Sequence, residues 1–149
     1  MPVATSVTEQ VIAAATSVIT AAAGVGGRVY RDRSEALARA ETPAVLIEPD
    51  MMPADDRHSN CRTAWTLILR VIIIVRGGSV SQLADPIRVA IHNALMANAT
   101  LDGLAMALRP ARSVPAVDWD HDQGDNRPGT CTLNYEIEHR SMTVDLTIP

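Results

Sequence analysis

Between Cys61 and Arg76 the chain alternates with a period of two, yet it is apolar on both faces at once. Trp65, Leu67, Leu69, Val71, Ile73 and Val75 fall on one side, and Ala64, Ile68, Ile72 and Ile74 on the other, broken by Arg70. A strand of that composition cannot face water on either side, so it belongs at the centre of a sheet covered above and below. A helix is expected to cover one side. The other side is open to a second subunit.

The remaining elements fall around this strand. Ser6-Val-Thr-Glu9 has the form of a capping box, in which Ser6 accepts from the backbone near Glu9 and Glu9 reaches back. Val7, Val11, Ala14, Val18 and Ala22 then recur at helical spacing, which predicts a helix over 5–23 ended by Gly24-Val-Gly-Gly27. That glycine run follows a helix and precedes a strand, the reverse of a phosphate-binding loop. Arg28–Arg31 reads as a short strand, 32–42 as a loop with a helical turn, and Pro43–Glu48 as a second strand whose first residue needs no ladder donor. Met51–Asn60 reads as an exposed loop.

Beyond Gly77-Gly78, Leu83, Ile87, Ala90, Ile91, Ala94 and Leu95 share one helical face. Asp85-Pro86 permits two readings: Asp85 caps the helix with Pro86 at its first position, or an earlier turn from Ser79 kinks there. Leu104–Val117 reads as a strand that Pro110 and Pro115 confine to an edge or a bulged path. An acidic loop, Asp118 to Gly129, leads into Thr130–Arg140. There Cys131, Leu133, Tyr135 and Ile137 face the core and Thr132, Asn134, Glu136 and Glu138 face away. Met142, Val144, Leu146 and Ile148 alternate again, as a last strand or an arm for a neighbour's edge. The expectation is one α+β domain over 1–141 with a C-terminal strand or arm over 142–149. Its sheet would be mixed and mostly antiparallel, of four to five strands against two main helices.

A chain of 149 residues buries roughly 68–70% of its unfolded surface. Here the apolar mass is aliphatic: Phe is absent and aromatics make up 3%. Such a core is thin, and a partner surface would supplement it. All 13 basic residues are Arg, a residue favoured at interfaces, although coding bias in a GC-rich genome is the simpler account and also explains the Ala richness. The net charge of −4 argues against wrapping nucleic acid. The N-terminus lacks a basic region followed by an apolar run, so no secretory signal is expected, and Leu67–Val75 is too short to span a bilayer.

Each motif that could carry chemistry has a simpler structural reading. Asp118, Asp120 and Asp122 resemble the start of a calcium loop, but Gln123 stands where Gly is required and Gly129 where the bidentate acid belongs. His58, His92, His121 and His139 show no zinc spacing, and His92 lies off the apolar helical face. Cys61 and Cys131 read as buried thiols, and Glu136 with Glu138 as a solvated row. No catalytic residue, metal or cofactor is assigned.

In its order of elements the chain resembles the bacteriophage tail terminator family, of the minor tail protein U type found in long-tailed phages. The similarity rests on Arg28-Val-Tyr-Arg31, Thr42-Pro-Ala-Val-Leu-Ile-Glu48, the Trp65-led strand and Thr132-Leu-Asn-Tyr-Glu-Ile-Glu138 behind an Asp-rich loop. It spans roughly Val7 to Arg140. The resemblance implies a non-enzymatic virion protein at the head-proximal end of the tail, made in the host cytoplasm. Copies would close into a hexameric ring that caps the major tail tube protein, halts polymerisation and presents a surface to head-completion proteins. DNA would pass through the lumen without specific binding, so Asp118, Asp120, Asp122 and Asp125 are candidates to face the lumen or the tube. Trp65, Arg70, Arg109, Arg112, Met142, Val144 and Leu146 are candidates for the subunit interface. The alternatives are another head–tail connector, or a small enzyme or ligand-binding domain with a pocket lined by Tyr135, His139 and Glu136.

Overall fold

The computed structural model describes residues 3–51, 54, 61–121 and 128–149. The expected Met51–Asn60 loop and the 122–127 part of the acidic loop lie mostly outside the described residues, as do His58, Asp122 and Asp125. The chain is α+β, with helices α1 (Val7–Ala22) and α2 (Val80–Ala97) on a mixed sheet of six strands. These are β1 (Val29–Arg31), β2 (Ala44–Met51), β3 (Arg62–Val75), β4 (Ala107–Pro110), β5 (Val117–Asp120) and β6 (Gly129–Met142). Their order is β1-β2-β3-β6-β4, with β5 also on β6, and only β1 with β2 is parallel. That parallel pair is joined by residues 32–43, which hold one 3₁₀ turn at Arg39–Glu41. A parallel pair needs a crossover of about that length.

The centre is the antiparallel pair β3–β6, each of 14 residues, paired along their whole length from Arg62↔Met142 to Val75↔Gly129. At about 3.3 Å per residue this ribbon is roughly 45 Å long. Its register fixes which side chains face the helices. Leu67, Leu69, Val71 and Ile73 of β3 and Cys131, Leu133, Tyr135 and Ile137 of β6 are all buried in the core with Val7, Val11, Ala15 and Ile19 of α1 and Ile91 and Leu95 of α2. The two helices touch each other, α1 lies on β1 and β6, and α2 lies on β3, β6 and β4.

Several elements differ from the expected ones, each for a local reason. Ser6 caps α1 as anticipated, its Oγ accepting from Glu9 N at 3.1 Å. Glu9 does not reach back: its carboxylate takes the guanidinium of Arg31 instead. A charged fork on β1 outcompetes a backbone N–H. Helix α2 begins after Ser79 and runs through Pro86. Starting there, its buried line is Val80, Ala84, Ile91 and Leu95, which turns Leu83 outward to 42% exposure. The strand expected over 104–117 is split by its prolines into β4 and β5, both on the same edge of β6. Asp118 and Asp120, expected in a loop, belong to β5.

The C-terminal segment is not a strand. The last strand ends at Met142, and Asp145 Oδ1 accepts from Thr147 N (2.9 Å) and Thr147 Oγ1 (2.6 Å), closing a side-chain turn. Leu146 O then accepts Val7 N at 2.7 Å, one of the N–H groups a helix start leaves unmatched. Cys61 is exposed rather than buried, while Cys131 is buried as expected. Cys61 precedes β3 with φ +59°, outside the ladder.

His139, on the helix side of β6, is fully buried. Its Nε2 shares a 2.8 Å hydrogen bond with Thr8 Oγ1 of α1, and Trp65 lies opposite it in the β3 register. Burial holds its pKa below the usual 6.5, so the folded chain carries it neutral. The unfolded chain therefore binds this proton first as pH falls. Stability should drop below pH 6.5 by at most ~1.4 kcal/mol per pH unit, levelling off below the folded pKa. Urea unfolding between pH 7 and pH 5 measures this, and His139→Gln, which keeps a partner for Thr8, should flatten the slope.

Candidate interaction surface

With both helices on one side, the other side of the sheet carries Leu46 and Glu48 of β2, Ile68, Arg70, Ile72 and Ile74 of β3 and the even-numbered residues of β6. Among the described residues no helix covers it. It is not a plain solvated face. Ile68 and Ile74 are buried, and so are Asn134 and Glu136, which the alternating pattern had placed in solvent.

The cause is the break between β4 and β5. Ala111 N donates to Asn134 O at 2.9 Å and Asn134 N to Ala116 O at 3.0 Å, so residues 112–115 bulge out between two ladder bonds. Asn134 Nδ2 donates to Pro115 O at 2.8 Å. Glu136 Oε1 accepts Arg112 N (2.9 Å), Ser113 N (3.0 Å) and Ser113 Oγ (2.9 Å). Arg109 adds an ion pair to Glu136 at 3.2 Å and a closer one to Glu138 at 2.7 Å. The Arg112 and Ser113 N–H groups, the Ser113 hydroxyl and Arg109 together outweigh burial and hold the Glu136 carboxyl at about 2. Glu136 is thus a strut for a bulged loop and Glu138 an ion-pair partner of Arg109, rather than a solvated row.

Between the bulge and β2–β3 runs a groove of about 470 Å³, floored by Ile68 and Ile72, walled by Val114 and Pro115, and rimmed by Asp50 and Asp118. Arg70 lies on the groove and pairs with Glu48 at 3.4 Å. The helix-free face thus unites Asp118, Asp120, Arg70 and Arg109, with the Arg112 backbone bound over it. The other candidates lie elsewhere. Trp65 is on the helix side, half-buried, its Nε1 donating to Ser141 Oγ at 2.9 Å. Met142 ends β6, and Val144 (85% exposed) and Leu146 (52% exposed) follow it at the far end of the ribbon.

A second, smaller cavity of about 180 Å³ lies under the β4–β5 break, lined by Arg88, His92, Val117, Leu133 and Tyr135 among others. His92, expected exposed, is half-buried with Nδ1 3.0 Å from Tyr135 Oη. Tyr135 reaches it because it occupies a helix-facing register position, three two-residue steps along β6 from Gly129. Burial pushes the Tyr135 phenol to about 12 and the Cys131 thiol to about 11, so neither ionises near neutrality. Tyr135, His139 and Glu136 do not share a pocket, since Glu136 projects to the helix-free face and the other two to the core. Among the described residues no group of three His, Cys, Asp or Glu side chains could hold a metal ion, and no helix is long and apolar enough to cross a membrane.

The burial of Asn134 and Glu136 could not be seen from their own strand, because the groups they bind lie about twenty residues away. The signal available was Pro110 and Pro115 in one edge strand, which called for a bulge and hence for something to fill it. A scan against protein-family models finds no match for the chain, and a search of curated proteins finds none either.

Replacing Glu136 by Gln should cost on the order of 2 kcal/mol at pH 7, lowering Tm by about 6 °C. In the native chain the Glu136 contribution is present above pH 4.5 and fades as pH falls toward 2. Calorimetry of both proteins from pH 7 to pH 3 checks this, the two Tm curves converging at the acid end.

Proposed function

We propose that the chain is a structural subunit of a ring that terminates the tail tube of a long-tailed bacteriophage. The ring would halt tube polymerisation and offer its outer side to head-completion proteins. The observation that carries this reading is the one-sided sheet. Its central strand is apolar on both faces, both helices lie on the same face, and the other holds buried Ile68 and Ile74 with half-buried Ile72 beside an open groove. A subunit completed by its neighbours accounts for that layout, and a ring supplies two different contact patches per copy. The resemblance in element order and in the β1, β2, β3 and β6 segments selects tail termination among ring-forming roles.

The acidic residues Asp118, Asp120, Asp122 and Asp125 would face the tube or the lumen, where carboxylates keep DNA phosphates from adhering. The small cavity beside His92 and Tyr135 favours a ligand-binding domain as the second reading.

Electron microscopy of tails assembled without this protein tests termination. Tubes of uncontrolled, excessive length are expected. Tails of normal length that fail only to join heads would assign the chain to another connector role. Changing the four aspartates to Asn should lower phage titre or alter tail length, and normal values of both would remove the lumen and tube placements.

A further inference from the structure

The break between β4 and β5 leaves a hollow on the helix side of the sheet as well as a groove on the other. Pro110 lies opposite Tyr135 and Val117 opposite Leu133. The space between those two rows stays open because residues 112–115 leave the ladder toward the helix-free face. Helix α2 roofs it with Arg88 and His92, which stand four positions apart and so share one side of the helix. The resulting cavity measures about 180 Å³. An apolar cavity of about 150 Å³ takes up benzene, so this one has room for a small ring or a short chain with a head group.

Its walls divide by chemistry. Pro110, Val117 and Leu133 are apolar, whereas Arg88, His92 and Tyr135 carry polar groups. The Arg88 guanidinium meets Asp85 at 3.8 Å, beyond hydrogen-bond reach, and both side chains are well exposed. Its charge also acts on the Tyr135 phenol, opposing the burial that lifts it to about 12. The phenol therefore keeps its proton at neutral pH. When His92 carries its own proton on Nδ1, it donates to Tyr135 Oη across 3.0 Å, and the phenolic O–H is free to turn into the cavity.

We propose that this cavity binds a small organic monocarboxylate, its carboxylate held by Arg88 and the Tyr135 O–H and its apolar body against Pro110, Val117 and Leu133. A planar guanidinium fork matches a carboxylate. A single cation does not balance a phosphate dianion, and the apolar walls offer it no donors. A cationic guest would be repelled by Arg88. The inference deepens the ligand-binding reading above and does not depend on the ring.

Benzoate and hexanoate are the probes, titrated into the full chain by methyl-detected NMR. At least one should bind with a Kd of about 1 mM or tighter, within reach of a ligand of about nine heavy atoms. The shifts should centre on the Val117 and Leu133 methyls and the Tyr135 ring. Arg88→Gln should weaken binding about tenfold and Tyr135→Phe about threefold, with circular dichroism like that of the parent. Benzyl alcohol, which needs no variant, should bind the parent at least about tenfold more weakly than benzoate. Equal binding of benzyl alcohol, or an unchanged affinity in Arg88→Gln, would overturn the carboxylate and leave a ligand pocket standing. Shifts centred elsewhere, or no binding of any of the three probes, would overturn the site and the ligand-binding reading together.

Discussion

The full-length antiparallel pairing of β3 with β6 is the constraint on which the rest of the structure depends. Fourteen residues on each strand are matched one to one, so a slip of a single residue would exchange the two faces of the ribbon. In the register adopted, Leu67 to Val75 and Cys131 to Ile137 send their odd-numbered side chains beneath α1 and α2. The same register sets Tyr135 under His92 of α2 and His139 under Thr8 of α1. Each helix is therefore docked by apolar packing and by one polar contact reaching down to β6. Both contacts come from residues that a simple apolar-in, polar-out rule treats as secondary.

The price of placing both helices on one face is an incompletely covered second face, and the chain handles it with polar chemistry. Glu136 and Asn134 are spent on holding residues 112–115 out of the ladder, and that bulge forms one wall of the groove. The break also shortens the outer edge into two pieces of four residues each, which blunts uncontrolled strand pairing. What remains is a surface whose apolar strip is narrow, bounded and flanked by charge. Such a surface suits a specific, repeated contact better than open-ended aggregation.

Patterns local in sequence were the legible ones. The strand over 61–76, the Ser6 cap and the helix-facing row of 130–140 each depend on neighbours within a few residues, and the structure follows them. The α+β class and the antiparallel majority came from the same signals. Features decided by distant residues were not legible. Glu9 pairs with Arg31 across the α1–β1 gap, Trp65 donates to Ser141 within the fold, and Asp145 with Leu146 turn an alternating tail into a clasp on α1. Pro86 in mid-helix was legible only as an open choice, which the start at Ser79 decided. Of the surface candidates, the strand residues Asp118, Asp120, Arg70 and Arg109 gather on one face, whereas Met142, Val144 and Leu146 stand at the end of the ribbon where Arg62 pairs with Met142.

The central claim is that this sheet is completed by another copy of the same chain. Native mass spectrometry, on the chain alone and after release from tail tubes, tests it most directly. The account expects one discrete closed oligomer in at least the tube-derived sample, with a single copy number and no ladder of larger species. A monomer in both samples would contradict it.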